Sequence, residues 1–269
     1  MDEVKYHIGF SRRDLGTQPP VAALLCGDPD RTRKIASGFP GIRQGRVLSE
    51  KRGLVSCLCT SNTGIPLVCA TSGMGAPSAS IVTNELFDVG IRLIIRVGTS
   101  GSIQDHIRAG SVIISRAALC RHGASLDIAP AEYPAAADPF LTVALVHAAK
   151  ELGIIWHLGM TASVDTFYEG QERTRTSASK NLLRRLQGIT EEYRRMNILN
   201  YEMESGTLFK MAGVYGFAAG CICAVIDYRT SGEEIDLAIK EKAETDAIGV
   251  ALKALDVVDL QGVCAMYPG

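Results

Sequence analysis

Leu93-Ile94-Ile95-Arg96-Val97-Gly98-Thr99-Ser100-Gly101 is the stretch from which the rest of this 269-residue chain is best read. Leu93–Val97 is apolar almost throughout rather than alternating, the mark of a strand covered on both faces. Arg96 interrupts it. A guanidinium inside such a strand is costly unless a counter-charge or an anion meets it. The Gly-Thr-Ser-Gly loop that follows is rich in hydrogen-bond donors, so a bound anion is the sharper explanation and a structural salt bridge the plainer one.

Outward from this strand, similar runs recur at 21–25, 55–59, 66–70, 111–114, 154–161 and 221–226, separated by glycine-containing turns. Helical patterns lie between them. Ser78 to Val89 places Ile81, Val82, Leu86 and Val89 on one side and stops before Gly90. Asp138-Pro139 offers an N-cap and a first-turn proline to a helix that Gly153 closes. Glu202 to Tyr215 ends at Gly216, and Glu233 to Leu255 reads as a long final helix. Strands alternating with helices, without repeats or linkers, predict an α/β protein: one αβα sandwich around a mixed central β-sheet, spanning 1–269 as a single domain.

Composition removes several classes of function. Twenty-eight basic against 29 acidic residues leave a net charge of −1, and no basic run offers the footprint of a nucleic-acid binder. The longest apolar run, Phe217 to Ile226, is too short to span a bilayer. Met1 to His7 carries acids where a signal peptide needs a basic stretch, which predicts a cytoplasmic protein. Among the eight cysteines, Cys57/Cys59 and Cys221/Cys223 are spaced to share one strand face, as small core residues. No CxxC occurs, and the five histidines lack metal-ligand spacing, so no metal is expected.

Three further segments fall at strand ends, where open α/β sheets bind ligands. Gly27-Asp28-Pro29-Asp30-Arg31 can bring backbone and a forked guanidinium to an oxyanion, or can be an ordinary capped turn. Thr71 to Ser78 comes near a dinucleotide fingerprint, but Ser78 replaces the third glycine, Pro77 intrudes, and the ribose-binding acid is missing. Asn200-Tyr201-Glu202-Met203-Glu204-Ser205 carries two carboxylates at a helix start, suited to the dipole or to vicinal sugar hydroxyls. From the residues alone the reading reaches a cleft for phosphate and a hydroxylated ligand.

These segments, with SGMGAPSASIVTNEL at 72–86 and RVGTSGSIQ at 96–104, resemble the nucleoside phosphorylase-I family, in order from about His7 to Arg229. Within that family, Phe167-Tyr168-Glu169-Gly170-Gln171-Glu172-Arg173 and the run from Gly123 to Asp138 resemble its pyrimidine-cleaving members. The resemblance implies phosphorolysis of uridine to uracil and α-D-ribose 1-phosphate with inversion, with phosphate as co-substrate and no cofactor. It implies phosphate at Gly27, Arg31, Arg52, Arg96 and Thr99. Glu202, Met203 and Glu204 would grip the ribose, with His7 supplied across a subunit boundary of a homo-oligomer that is at least a dimer. Phe167, Gln171, Arg173, Ile226, Asp227 and Arg229 would form the base pocket.

Two departures matter. Asp227 stands where pyrimidine-cleaving relatives carry an apolar residue and purine-cleaving ones place an acid nearby, so a purine or broad-specificity phosphorylase is the alternative. Gly53 replaces a glutamate that helps hold a monovalent cation between subunits in bacterial relatives, which implies altered cation dependence and assembly. A nucleosidase and a non-catalytic nucleoside-binding protein are further readings, and the intact phosphate and base sets speak against both. Residues 259–269 match nothing interpretable.

Overall fold

The computed structural model describes residues 3–229 and 237–267. Nine strands form one mixed sheet: β1 (Ala22–Cys26), β2 (Ile42–Ser49), β3 (Ser56–Ser61), β4 (Pro66–Thr71), β5 (Leu93–Ser102), β6 (Val112–Arg121), β7 (Trp156–Val164), β8 (Ile198–Glu202) and β9 (Ala218–Tyr228). Their order is β2-β3-β4-β1-β5-β8-β7-β6-β9, and β5 pairs with β9 as well. The second half of the sheet therefore closes on itself through β5, β8, β7, β6 and β9, while β2, β3, β4 and β1 form an open wing. Parallel pairing joins β1 to β4 and β5, and antiparallel pairing joins β2 to β3 and β3 to β4.

The helices are α1 (Pro29–Ala36), α2 (Ala76–Asp88), α3 (Pro139–Glu151), α4 (Ile189–Arg195), α5 (Ser205–Tyr215), α6 (Leu237–Val257) and α7 (Leu260–Ala265). Side-chain alternation along β1 shows how the layers arise. Ala22, Leu24 and Cys26 enter a core shared with Ile35 of α1, Leu141 of α3 and Ile248 of α6. Ala23 and Leu25 enter the opposite core, shared with Val82 of α2 and Leu208 of α5. The sheet is thus sandwiched between helices, as the alternation of strands and helices predicts.

Several elements differ from the sequence reading. The Gly-Thr-Ser-Gly segment is strand, not loop, because β9 supplies a parallel partner from Leu93↔Ala218 to Ser102↔Tyr228. The small residues are needed there: a Cβ at Gly98 would come within 2.8 Å of Arg96 Nη2. The helix expected from Glu202 begins at Ser205, since Glu202 is the last residue of β8. β2 escaped notice because it is an exposed strand with a largely polar sequence. The expected helix start at Glu233 lies outside the described residues, and the helix is seen from Leu237.

Capping follows the sequence. Asp138 accepts from Leu141 N at 2.8 Å, and Gly216 ends α5 in the left-handed region at φ 77°. The uninterpreted C-terminal segment forms α7, and Tyr267 Oη donates to Asp138 Oδ2 at 2.6 Å, tying that segment to the start of α3. All eight cysteines are free thiols. No helix among the described residues is long and apolar enough to cross a membrane.

Candidate active site

The ends of β1, β4, β5, β8 and β9 converge on a cavity of about 630 Å³. Gly27, Arg31, Arg52, Arg96 and Thr99 line it, together with Glu202, Met203, Glu204, Phe167, Gln171, Arg173, Ile226 and Asp227. Thirteen of the fifteen residues assigned from the sequence are therefore brought to one place; His7 and Arg229 are the two outside its wall.

Arg96 is the hub. It is 4% exposed, and its Nε donates to Glu202 Oε2 at 2.9 Å while Nη2 is paired with Glu204 Oε2. Nη1 has no hydrogen-bond partner among the described residues, and a Cβ on Gly27 would sit 4.0 Å from it. Nη1 is thus a buried donor beside Gly27 at the end of β1 that the described residues leave unused. Burial opposes the guanidinium's charge, but Glu204 and Glu202 outweigh it and hold its pKa well above the ordinary value. The plainer sequence explanation for Arg96, a salt bridge, is present, and Nη1 has no protein partner among the described residues.

The carboxylates play unequal parts. Glu202 Oε2 also accepts from Glu204 N and Ser205 N at 2.8 and 2.9 Å, and Oε1 accepts from Ser205 Oγ at 2.6 Å and from Ser163 Oγ. Both oxygens are filled by protein donors. The expected grip of Glu202 on a sugar hydroxyl therefore gives way to a supporting role, in which it caps α5 and fixes Arg96. Burial pushes its pKa up, yet Arg96 and the two serines win and hold it below the usual carboxylate range. Among the described residues Glu204 accepts only from Gly75 N, at 2.6 Å, and from Arg96. Burial raises its pKa despite Arg96. The glycine-rich segment that resembles a dinucleotide loop here supplies a backbone N–H to a carboxylate.

Arg31 reaches the cavity from α1, which Asp28 caps by accepting from Asp30 N at 2.9 Å. Its Nη1 donates to Val97 O at 3.2 Å and Nη2 to Glu244 Oε1 at 2.8 Å. Glu244 and its neighbour Lys240, which also lines the cavity, come from α6 and carry no local sequence signal for this role. With Arg31 and Arg96 both charge-compensated, an anion would be recognised through directed N–H groups, helped by the cationic Arg52 and Lys240. Arg52 adopts φ 59°, a conformation uncommon outside glycine, and donates to Tyr6 Oη at 2.9 Å.

At the other end, Gln171 Oε1 accepts from Arg173 Nε at 3.1 Å, and the Arg173 guanidinium lies 4.1 Å over the Phe167 ring. Arg173 Nη2 is 2.8 Å from Asp227 Oδ2. Arg229 donates to Gln171 O at 2.9 Å and so fastens the base segment from behind. His7 is held by Glu85, Nδ1 to Oε1 at 2.7 Å.

Fold and cleft together define an α/β protein whose one cavity joins an end lined by Arg31, Arg52 and Arg96 to an end lined by Phe167, Gln171, Arg173 and Asp227. The profile of the Phosphorylase superfamily matches residues 21–256, and the chain belongs to that superfamily. It is 40% identical over 249 residues to the uridine phosphorylase of Salmonella typhimurium, covering 93% of this chain and 96% of that one. It is 35% identical over 255 residues to the uridine phosphorylase of Thermococcus kodakarensis, 95% of this chain and 87% of the relative. The guanosine phosphorylase of Halorubrum lacusprofundi is 28% identical over 240 residues, 87% and 92% of the two chains.

Proposed function

We propose that this chain catalyses the reversible phosphorolysis of uridine to uracil and α-D-ribose 1-phosphate, as a pentosyltransferase of pyrimidine salvage. Relatives of that activity match most of its length. The observation that carries the residue roles is the continuity of one cavity from the Arg96–Glu204 pair to the Gln171–Arg173 pair.

Phosphate occupies the compartment of Gly27, Arg31, Arg52, Arg96 and Thr99. Glu204 accepts from the ribose hydroxyls with Met203 beneath the sugar, and Glu202 acts on them only by positioning Arg96 and Glu204. Phe167 and Ile226 cover the faces of the base while Gln171 and Arg173 read its edge. As the C1′–N1 bond breaks, positive charge grows on the ribose and negative charge on uracil. The phosphate oxygen under C1′ stabilises the first and forms the new bond; N–H donors of the base pocket stabilise the second. Attack on the face opposite the leaving base inverts C1′. Phosphate is a co-substrate, and no cofactor or metal takes part.

His7 is fixed by Glu85 outside its own cavity wall, which suits a role in the site of a neighbouring protomer. The working form is accordingly a homo-oligomer, at least a dimer, in the cytoplasm. Incubation with uridine, with and without phosphate and with inosine in parallel, tests the activity. Phosphate-dependent uracil release is expected. Absence of uracil release overturns the reading, and release of hypoxanthine alone would mark a purine enzyme.

A further inference from the structure

Asp227 lies on β9 opposite Gly101 of β5, is 2% exposed, and forms part of the cavity wall. Its Oδ2 lies 2.8 Å from Arg173 Nη2 as an ion pair, yet neither carboxylate oxygen has a hydrogen-bond partner among the described residues. A buried carboxylate oxygen left without a donor is costly, so a ligand donor at this place would repair a deficit that the folded chain cannot repair itself. Gly101 makes room for the arrangement: a Cβ there would come 3.3 Å from Arg173 Nη2 and 2.9 Å from Arg229 Cγ.

The neighbouring groups set the pattern. Gln171 Oε1 is taken by Arg173 Nε, which leaves the amide nitrogen of Gln171 for a ligand. The compartment therefore offers donors from Gln171 and Arg173 and one acceptor, from Asp227. Uracil presents the complement along one edge: the acceptor O2, the donor N3–H and the acceptor O4. We propose that Asp227 is a base-reading residue whose carboxylate accepts the N3–H of uracil between carbonyls held by Gln171 and Arg173. The proposal rests on the uridine reading above. It makes this pocket selective for a ring N–H flanked by two carbonyls. Cytosine, with a lone pair at N3, would face the carboxylate with like polarity, and a methyl at N3 would remove the donor.

The test is the ratio of kcat/KM for uridine over N3-methyluridine, with phosphate, in the full chain and in Asp227→Ala and Asp227→Asn. A site built to hydrogen-bond one group rejects an analogue lacking it by roughly 10⁴-fold. The wild-type ratio is expected to be of that order, to collapse by about 10²-fold or more in Asp227→Ala, and to be intermediate in Asp227→Asn, which keeps a carbonyl oxygen. If Asp227→Ala slows both substrates equally and the ratio is unchanged, Asp227 merely positions Arg173 and the proposal is overturned. Should Asp227→Ala not fold, competition of free uracil and 3-methyluracil against wild-type turnover decides; equal inhibition by the two overturns it. Wild-type protein that releases no uracil strikes the proposed reaction instead, so the two failures are separable.

Discussion

Arg96 and Glu202 stand 106 residues apart and meet in a buried ion pair at 2.9 Å, on adjoining strands at the floor of the cleft. The pair ties the Arg96 guanidinium of the cavity wall to the carboxylate that caps α5. The cap and the anion compartment are therefore one structure: moving either moves the other.

Glu202→Gln should damage phosphate use more than base recognition. The substitution removes the charge that fixes Arg96 and mispairs the oxygens now shared among Ser163, Ser205 and the α5 N–H groups. A displacement of an ångström at a reacting group can cost about 10²-fold in rate. Steady-state kinetics should show a raised KM for phosphate and a kcat lower by about that factor. An unchanged KM for phosphate, with only the KM for uridine raised, would return Glu202 to the ribose.

The acid limb of stability should carry the mark of Glu202. Its folded pKa lies below that of an unfolded glutamate, so the folded state binds fewer protons and stability rises with pH across that window. The contribution is present above the unfolded value, about 4.3, and is lost as pH falls through the lower folded value. Denaturant midpoints measured from pH 7 downward should fall less steeply for Glu202→Gln than for wild type. Parallel curves would contradict the assignment. Buried His122 should act at the other end: burial disfavours its charge, but Cys120 and Glu202 prevail and raise its pKa. Its stabilisation is complete below about 6.5 and is lost as pH rises through the folded value, a slope that His122→Phe should remove.

Arg173 and Asp227 should be strongly coupled. Either single truncation to alanine leaves a buried partner charge uncompensated, at a cost of about 3 kcal/mol or more, whereas removing both avoids that penalty. The double variant should be more stable than the sum of the single losses implies. Additive losses in chemical denaturation would mean that the 2.8 Å contact contributes no coupling.

Lys210 is 1% exposed on α5, and its Nζ donates to Pro130 O at 2.6 Å. Lys210→Met keeps the stem but abandons that carbonyl, with an expected loss of about 1–3 kcal/mol of stability. The denaturation midpoint should drop clearly. A midpoint unchanged from wild type would show that the carbonyl finds water.

Hydrophobic runs, caps and breakers are local, and from them the sequence by itself determined the α/β class, most of the strands and the strand ends at which chemistry would gather. Resemblance added the residue roles, and thirteen of those residues do share one cavity. Local pattern has no access to partners distant in the chain. It could not order the strands or close β5 onto β9, and it missed β2, a mostly exposed strand whose few apolar residues sit among polar ones. Nor could it tell that Glu244 would meet Arg31 across 213 residues, or that Asp227 would pair with Arg173. Two carboxylates separated by one residue look alike in sequence. Only the tertiary structure filled Glu202 with five donors and left Glu204 with two, because which backbone and side-chain donors surround a buried oxygen is decided by packing.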